Sequence, residues 1–552
     1  LVTLRHPDNA RVHAGARWFD GVNRLQRVRR RRAARAVIAA LAGWAGTVAT
    51  LAGPLDIGDR RQVFIDRTFL AESENVEIVV HPPRKSGELN IQPERPWEQG
   101  GIGPYSSVLF DGAIYHMWYH AMDTTEWDTG YTNGSICYAT SKDGIHWERV
   151  RAGLVAYRGS RNNNIVFGHR ANGVVLGQDG GMVFLDPNAP VQERFRMVCR
   201  FGTGGEGIRI FSSGDGIHWK LTHPSVITQR AEERSHMDSQ NVIFWDDARK
   251  KYVAYVRYNR PEKRGRARSI ARAESDRLGG FPVVQDMEVV FQPDDQDLKM
   301  GGLPAVDFYM SAAVKYPWAE NAYFMFPTAY FHYSPDLPEF AKECPANAGP
   351  LDSQFAASRD GIRWERYDRR PFVPLGRKGE FDWGCARVIW GLVPDTRGEE
   401  MFLYYRGGDW LHGWDRNENN KRILRSKGLG ATQNITAISR LISRRDGFTS
   451  VRGAYTGGTF TTPPLVFTGR KLVLNVDTSA TGLVRVGLLD AASGAPVAGF
   501  SVNDCDLIHT ANEINRTVSW RGQTDVSRWA GKPVRLRFEL RNADLYAFQF
   551  VN

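Results

Sequence analysis

Between residues 106 and 442 the chain keeps returning to one texture. A short apolar run is followed by a polar turn, a second and third apolar run, and a turn built on Asp-Gly. The first cycle reads Ser106-Ser-Val-Leu-Phe110, Ile114-Tyr-His-Met-Trp-Tyr119 and Ile136-Cys-Tyr-Ala-Thr140. The second carries Phe195 to Cys199 and Ile208 to Phe211. The third carries Val242 to Trp245, Tyr252 to Val256 and Arg268 to Arg272. Tyr323 to Phe326 with Phe355 to Ala357, and Met401 to Tyr405 with Ile438 to Ile442, make the fourth and fifth. Runs this short, rich in aromatic and β-branched residues and bounded by Gly and Asp, predict strands rather than helices.

Each cycle closes on a related turn. Ser141-Lys-Asp-Gly-Ile-His-Trp147, Ser213-Gly-Asp-Gly-Ile-His-Trp219 and Ser358-Arg-Asp-Gly-Ile-Arg-Trp364 are near copies. Ser275-Asp276-Arg-Leu-Gly-Gly-Phe281 and Ser443-Arg-Arg-Asp446-Gly-Phe448 are looser ones. Their Asp residues stand 72, 61, 84 and 86 positions apart. Three or four strands per unit, repeated five times, predict a five-bladed β-propeller. The motif reads as scaffold: Asp bonds turn amides, Gly supplies a positive φ, and Trp or Phe packs between blades.

After the fifth copy the texture changes to longer alternating strands, including Leu472 to Val476, Val484 to Leu488, Val534 to Leu540 and Leu545 to Phe550. These predict a C-terminal β-sandwich, jelly-roll-like in style. The expected organisation is therefore all-β: a basic leader and signal peptide over 1–53, the propeller over 54–452, and the sandwich over 453–552.

Charge changes the picture once. The formal net charge is +11, but residues 1–35 hold ten arginines against Asp8 and Asp20, which leaves +3 for the rest. A near-neutral body offers no footprint for a phosphate backbone, so nucleic acid is not an expected partner. The arginine run 29–32 precedes the apolar stretch Ala36 to Ala52, with small residues at its exit. That order describes a secretory signal; a short membrane anchor is the other reading, at the lower limit of a span. Secretion or a periplasmic location follows from the first, with no stable membrane span after cleavage. The long segment before Arg27 and the absence of an initiating Met point to a mis-assigned upstream start. Five scattered cysteines (137, 199, 344, 385, 505) show no pairing pattern or zinc spacing, and read as small buried hydrophobes.

In a propeller the inner strands converge, so acidic residues at their ends can meet from far apart in sequence. His236-Met-Asp238-Ser-Gln240-Asn241 stands ahead of Val242, Asp307-Phe-Tyr309 ahead of the fourth unit, and Glu380-Phe-Asp382-Trp383, with Arg387 nearby, ahead of the fifth. The first unit offers Trp97-Glu98 and Tyr105, and the second Asp186-Pro187. Cleaving a glycosidic bond needs two carboxyl groups flanking it, and a third can tune the acid. Asp238, Glu380 and Asp307 are the expected catalytic residues. Glu98, Tyr105, His236, Gln240, Asn241, Tyr309, Asp382, Trp383, Arg387 and Arg406 are the expected sugar-binding set. Turn capping by Asp186 and Asp382, and a structural ion pair for Arg387, are the bland alternatives.

The repeated Ser-x-Asp-Gly-x-x-Trp turns, the count of five and the trailing sandwich resemble the glycoside hydrolase family 32 and family 43 superfamily. The likeness is closer to secreted glycosyl hydrolase-like proteins of polysaccharide-degrading bacteria. It is carried by Gln62 to Leu70, Asp238-Ser-Gln-Asn241 and Leu545 to Phe550, over roughly 60–552. The resemblance implies acidic residues on separate inner strands acting on fructosides, arabinosides or xylosides. Neither Asn-Asp-Pro-Asn-Gly nor Arg-Asp-Pro, both expected of family 32, is present, and Glu343-Cys344-Pro345 imitates that family's acid/base segment at the wrong place in the repeat.

The expected function is a secreted glycoside hydrolase acting on a poly- or oligosaccharide. No cofactor is expected to be required. A central Ca²⁺ suits such funnels, but no ligand spacing predicts it. Two alternatives stand beside this reading. One is a non-catalytic carbohydrate-binding propeller; the other is a glycoside phosphorylase, whose phosphate cradle Arg387, Arg406 and His412 could form.

Overall fold

The structure is a computed structural model. It describes residues 53–123, 134–168, 181–201, 207–230, 237–262, 265–297, 299–300, 303–304, 306–332, 344, 348–414 and 417–552. The leader, His236, Glu343 and Pro345 lie outside these residues. Residues 55–552 form one compact unit.

The protein is all-β. Among the described residues one α-helix occurs, Glu418–Ser426, capped by the Asn417 side chain accepting from the Asn420 amide at 2.8 Å. No helix of the described residues is long and apolar enough to cross a membrane.

Three antiparallel sheets follow one another in chain order. The first is centred on Tyr115–Met122, which pairs with Ser107–Phe110 on one side and Gly134–Ser141 on the other. The second runs Met182–Leu185, Phe195–Phe201, Gly207–Ser213, Lys220–Ile227. The third runs Val242–Asp246, Lys251–Glu262, Gly265–Ser275, Glu288–Phe291. The fourth region splits into two short ladders, Val306–Phe308 with Thr328–Phe331 and Leu351–Ser353, and Val314–Lys315 with Tyr323–Met325 and Ala356–Ser358. The fifth sheet runs Cys385–Val388, Glu400–Gly408, Thr436–Arg444 and then Arg84–Ile91, and one parallel pairing, Leu351 with Cys385, joins it to the first of those short ladders. A strand from the start of the chain therefore completes the last sheet of the repeat.

The repeated turn locks sheet to sheet. In Ser141-Lys-Asp143-Gly144 the Asp carboxylate accepts the amides of Ile145 and His146 at 2.8 and 2.9 Å, and Ser141 Oγ accepts the Gly144 amide at 2.9 Å. Asp215 and Asp360 repeat this bonding in their own turns. The Gly carbonyl then accepts a hydrogen bond from an aromatic residue of another sheet. Trp118 Nε1 donates to Gly216 at 2.8 Å, Tyr255 Oη to Gly361 at 2.7 Å, and Tyr404 Oη to Gly144. A Cβ at Gly216, where φ is +78°, would sit 2.7 Å from the Trp118 ring. Glycine is required there by both backbone and contact.

The two looser copies do something else. Asp276 is exposed and pairs with Lys251, at 3.2 Å. Asp446 is buried, adopts a φ of 59°, and accepts from Arg61 Nε at 2.6 Å, Tyr316 Oη at 2.7 Å and Asn475 Nδ2 at 3.1 Å.

Two further sheets contain the C-terminal strands. One holds Lys471–Asp477 and Ala543–Val551, and the other holds Leu483–Asp490 and Val534–Arg541. Apolar residues of both sheets share one core, in which Phe460 stacks on Phe538 at 4.6 Å and Phe467 on Phe550 at 3.6 Å. The alternation of Val534–Arg541 puts Val534, Leu536, Phe538 and Leu540 inside. Leu55–Gly58, Gln62–Val63, Glu72–Glu74 and Val76–Val80, which sequence reading places with the propeller, pair with strands of these C-terminal sheets. From this segment Ile57, Phe64 and Phe69 enter the shared core of those sheets, while Val63, Ile65 and Val80 pack with Phe324, Phe355 and Leu403 of the fourth and fifth regions.

Candidate functional site

Around Tyr309 several of the expected site residues converge, among them Asp238, Asp307, Tyr105 and Arg387. Tyr309 follows the strand Val306–Phe308, and its ring is buried. Three guanidinium groups pack on that ring: Arg268 at 4.9 Å, Arg257 at 5.2 Å and Arg387 at 5.5 Å from its centroid. They come from the third sheet (Arg257, Arg268) and the fifth (Arg387). Cationic groups over a phenol face are attracted by its quadrupole, more so when water is excluded. His412 packs edge-on to Tyr309 at 5.4 Å and to Tyr330 at 4.9 Å, and Tyr105, Leu351 and Cys385 complete the apolar surround.

Two of the three arginines hold a carboxylate. Arg257 Nη2 donates to Asp238 Oδ2 at 3.2 Å, and a second nitrogen donates to the Asp238 carbonyl. Arg200 reaches Asp238 Oδ1 at 3.4 Å. The Asp238 side chain is 47% exposed, so this carboxylate faces solvent while its back is held. Arg268 Nη1 donates to Asp307 Oδ2 at 2.8 Å, and His332 Nε2 lies 2.9 Å from the same oxygen. Asp307 is buried, which alone would raise its pKa, but the Arg268 charge and the His332 hydrogen bond bring it below the ordinary carboxylate range. Its Oδ1 is buried without a hydrogen-bond partner. Asp307 is thus an ionised group, not a proton donor.

Arg387 differs from its neighbours. It is buried, no ion pair is made by it among the described residues, and its Nη2 lies 3.4 Å from His412 Nδ1, with the Cys385 thiol a second hydrogen-bonding neighbour. Its strand neighbour across the ladder is Arg406, which donates from Nε to the Ile102 carbonyl at 2.9 Å and packs over Trp410 at 5.6 Å. Tyr105 stacks on His120, whose pKa burial and the Arg406 charge push down to about 4, so that His120 is neutral.

Gln240 donates from Nε2 to the Ser106 carbonyl at 2.8 Å, tying the segment ahead of Val242–Asp246 to the one ahead of Ser107–Phe110, and its Oε1 is buried without a partner among the described residues. Asn241 is used up in its turn: it donates to the Met237 and Ser239 carbonyls and accepts the Arg257 amide at 3.0 Å. It positions Asp238 and Arg257 rather than meeting a ligand.

Several expected residues lie elsewhere. Glu98 is fully buried, and its carboxylate accepts from Tyr119 Oη at 2.6 Å, from Arg149 and from the amides of Glu94 and Arg95. Those bonds cap a short 3₁₀ turn and leave nothing for a sugar. Asp382 is buried under Lys85 Nζ at 2.6 Å and Tyr405 Oη at 2.9 Å, joining the fifth sheet to its outermost strand. Glu380 is exposed in a turn, where its Oε2 accepts the Arg377 amide at 2.7 Å. Trp383 packs with Trp410, Trp414 and Leu424 beneath the α-helix and carries Lys378 on its face. Asp186 caps its own turn and accepts from Tyr252 and Arg196. These carboxylates and this tryptophan read as ligands from neighbouring composition, and each proves to be locally satisfied.

Sequence reading missed Arg257, Arg268, Tyr330 and His332. A signal existed for the first: Arg257 interrupts the otherwise apolar-aromatic run Tyr252 to Tyr258, and a charge inside such a run must meet a counter-charge. His236, expected beside Asp238, lies outside the described residues. Among the described residues no group of three or more His, Cys, Asp or Glu side chains is placed to hold a metal. The five cysteines are buried and unpaired with each other.

A separate cavity of about 990 Å³ lies away from these residues. Its walls include Phe110, Leu185, Trp245, Trp318 and Trp390, and its charged groups are tied up, Lys315 with Asp246 and Asp247, and Arg60 with Glu320. It shares no residue with the Tyr309 cluster.

No protein-family profile and no curated protein sequence matches the chain. Solved structures similar to it include one named "Glycoside hydrolase", 13% identical, covering 66% of this chain and 92% of its own, with a TM-score of 0.43. A thermostable family-43 glycoside hydrolase is 16% identical over 67% of this chain and 96% of its own, with a TM-score of 0.41. The catalytic domain of the Coprinopsis cinerea GH62 alpha-L-arabinofuranosidase is 10% identical over 67% and 98%, with a TM-score of 0.38.

Proposed function

We propose that this chain is a secreted glycoside hydrolase whose five sheets are the blades of a propeller, with the two remaining sheets forming a sandwich, and whose active site is the Tyr309 cluster. The observation that carries this reading is the convergence on one tyrosine ring of two arginines, each holding a carboxylate from a different segment of the chain, Arg257 with Asp238 and Arg268 with Asp307.

The two carboxylates take different roles. Asp238 is half exposed and oriented from behind by Arg257 and Arg200, so it is the group that can take a proton from an attacking water, the leaving oxygen taking its proton from solvent. Asp307 stays ionised in the interior and fixes Arg268 against Tyr309, which makes it a positioning residue. The phenol and the guanidinium planes around it are suited to stacking and to bonding sugar hydroxyls. Hydrolysis releases one new reducing end per bond cleaved. Loss of the Asp238 carboxylate in Asp238→Asn lowers turnover by about 10²–10⁴-fold, the range for a group that moves a proton in the transition state. The variant keeps the side chain's shape, so sugar binding survives it.

A second reading, a carbohydrate-binding protein without turnover, is favoured by one observation. Glu98, Glu380 and Asp382 are engaged in their own turns and ladders, which leaves Asp238 as the one expected carboxylate of the cluster open to solvent. Reducing-sugar release separates the two readings, since only the first produces it.

A further inference from the structure

Arg387 is the unbalanced charge of the cluster. Arg257 and Arg268 each meet a carboxylate oxygen, at 3.2 and 2.8 Å, whereas Arg387 meets none among the described residues. It is 5% exposed, and its Nε is buried with no hydrogen-bond partner. Its contacts include the Tyr309 face, the His412 nitrogen at 3.4 Å and the Cys385 thiol, none of them an anion. A guanidinium does not give up its proton in a protein, so this group stays cationic. Burying such an ion is strongly unfavourable unless an anion compensates it. Tyr309 supplies only part of that compensation, because a cation–π contact is weaker than a hydrogen-bonded ion pair. A buried arginine that meets no carboxylate among the described residues and is stacked on a ring presents a planar fork of donors, the arrangement that bonds a carboxylate or phosphate at two points.

We propose that Arg387, with His412 beside it and Tyr309 beneath it, binds a compact oxyanion, so that the site takes either the carboxylate of an acidic sugar or free phosphate. The assignment rests on the Tyr309 cluster being the active site, and it narrows the substrate class of that site. If the oxyanion is part of the sugar, the substrate is a uronic acid-containing saccharide, held at its carboxylate by Arg387. If it is phosphate, the anion enters beside the bond to be cleaved.

The experiment measures binding without turnover, so it stands even if the chain hydrolyses nothing. The thermal midpoint of the full chain is followed with rising galacturonate, glucuronate or inorganic phosphate, at constant ionic strength, with galactose, glucose and chloride as controls. The same titrations are run on Arg387→Lys and Arg387→Gln. A saturable rise with the uronates, or with phosphate, that the neutral sugars and chloride do not give supports the site. Arg387→Gln then weakens the effect tenfold or more, and Arg387→Lys, which keeps the charge but loses the fork, falls between. A uronate response places the anion on the substrate, and a phosphate response places it free in solution.

Arg387→Gln carries a second readout. Removing an uncompensated buried charge raises the midpoint of the unliganded protein, whereas removing a structural ion pair lowers it. No oxyanion response in the folded wild type, or an equal response in wild type and Arg387→Gln, overturns the proposal.

Discussion

Arg257 grips Asp238 at two points, donating to its carboxylate from Nη2 at 3.2 Å and to its backbone carbonyl from a second nitrogen, while its plane lies on Tyr309. One side chain thereby fixes both the position of the solvent-facing carboxylate and its distance from the aromatic floor. Arg257 itself is nearly inaccessible, at 2% side-chain exposure, so it acts on substrate through Asp238.

Replacing it separates positioning from binding. Arg257→Met is expected to lower kcat by about 10–100-fold, a 1 Å misplacement of a reacting group being able to cost 10²-fold. KM should change by less than threefold or so, because Asp238 and Tyr309 remain. Arg257→Lys retains part of the rate through its charge but not the two-point hold. Steady-state kinetics on the substrate found for the wild type checks the split. Equal losses in kcat and in folding stability would mean a structural role only.

Asp352 makes stability depend on pH. It lies on Leu351–Ser353, is 7% exposed, and its Oδ1 has no hydrogen-bond partner. Burial pushes its pKa up to about 7 from 3.8, against a small opposing effect of the Gln354 hydrogen bond. The folded state therefore holds this proton more tightly than the unfolded chain, and the contribution of Asp352 to stability falls as pH rises from about 4 to 7. Asp352→Asn is expected to match wild type at pH 4 and to be more stable at pH 8, by up to about 4 kcal/mol. Denaturant unfolding at the two pH values tests this, and an Asn variant less stable at pH 8 would contradict it.

The repeated turns are scaffold. Gly216→Ala forces a side chain into a φ of +78° and onto the Trp118 ring at 2.7 Å. Strain and overpacking together are expected to cost about 2–4 kcal/mol. Turnover per folded molecule should be unchanged, since the turn is remote from Tyr309. A lowered thermal midpoint with wild-type kcat is the expected result.

Arg61 and Asp446 form a buried pair at 2.6 Å, with side-chain exposures of 6% and 0%. Arg61→Met leaves the Asp446 carboxylate buried with only Tyr316 and Asn475 as neutral donors. Such a loss costs about 3–5 kcal/mol. Because the pair joins the start of the described chain to the last repeat, limited proteolysis of the variant should open that junction first. Wild-type resistance there would show the pair to be dispensable.

The all-β class was legible because the signals are local: apolar runs of strand length and the Ser-x-Asp-Gly turn, whose Asp and Gly do in the structure what the turn chemistry demands. Asp446 was not legible in that way. Its environment is set by Arg61, 385 positions away, and no local pattern encodes it. The same holds for the strands of 55–80, whose partners lie at the far end of the chain. In the site, Asp238, Asp307 and Tyr309 could be found because each stands at the head of an apolar run. Glu98 and Asp382 stand in similar places but are consumed by Arg149 and Lys85, and only three-dimensional pairing tells the two groups apart. The arginines that organise the cluster were hidden in mid-strand, where alternation hides which face a residue takes.

The central claim is that Asp238 cleaves glycosidic bonds within the Tyr309 cluster. Reducing-sugar release across a panel of neutral and acidic glycans, measured for the wild type and Asp238→Asn side by side, tests it most directly. Release by the wild type that falls at least 10²-fold in the variant, with glycan binding kept, is the expected result. Equal release by both proteins, or binding without release by either, would contradict it.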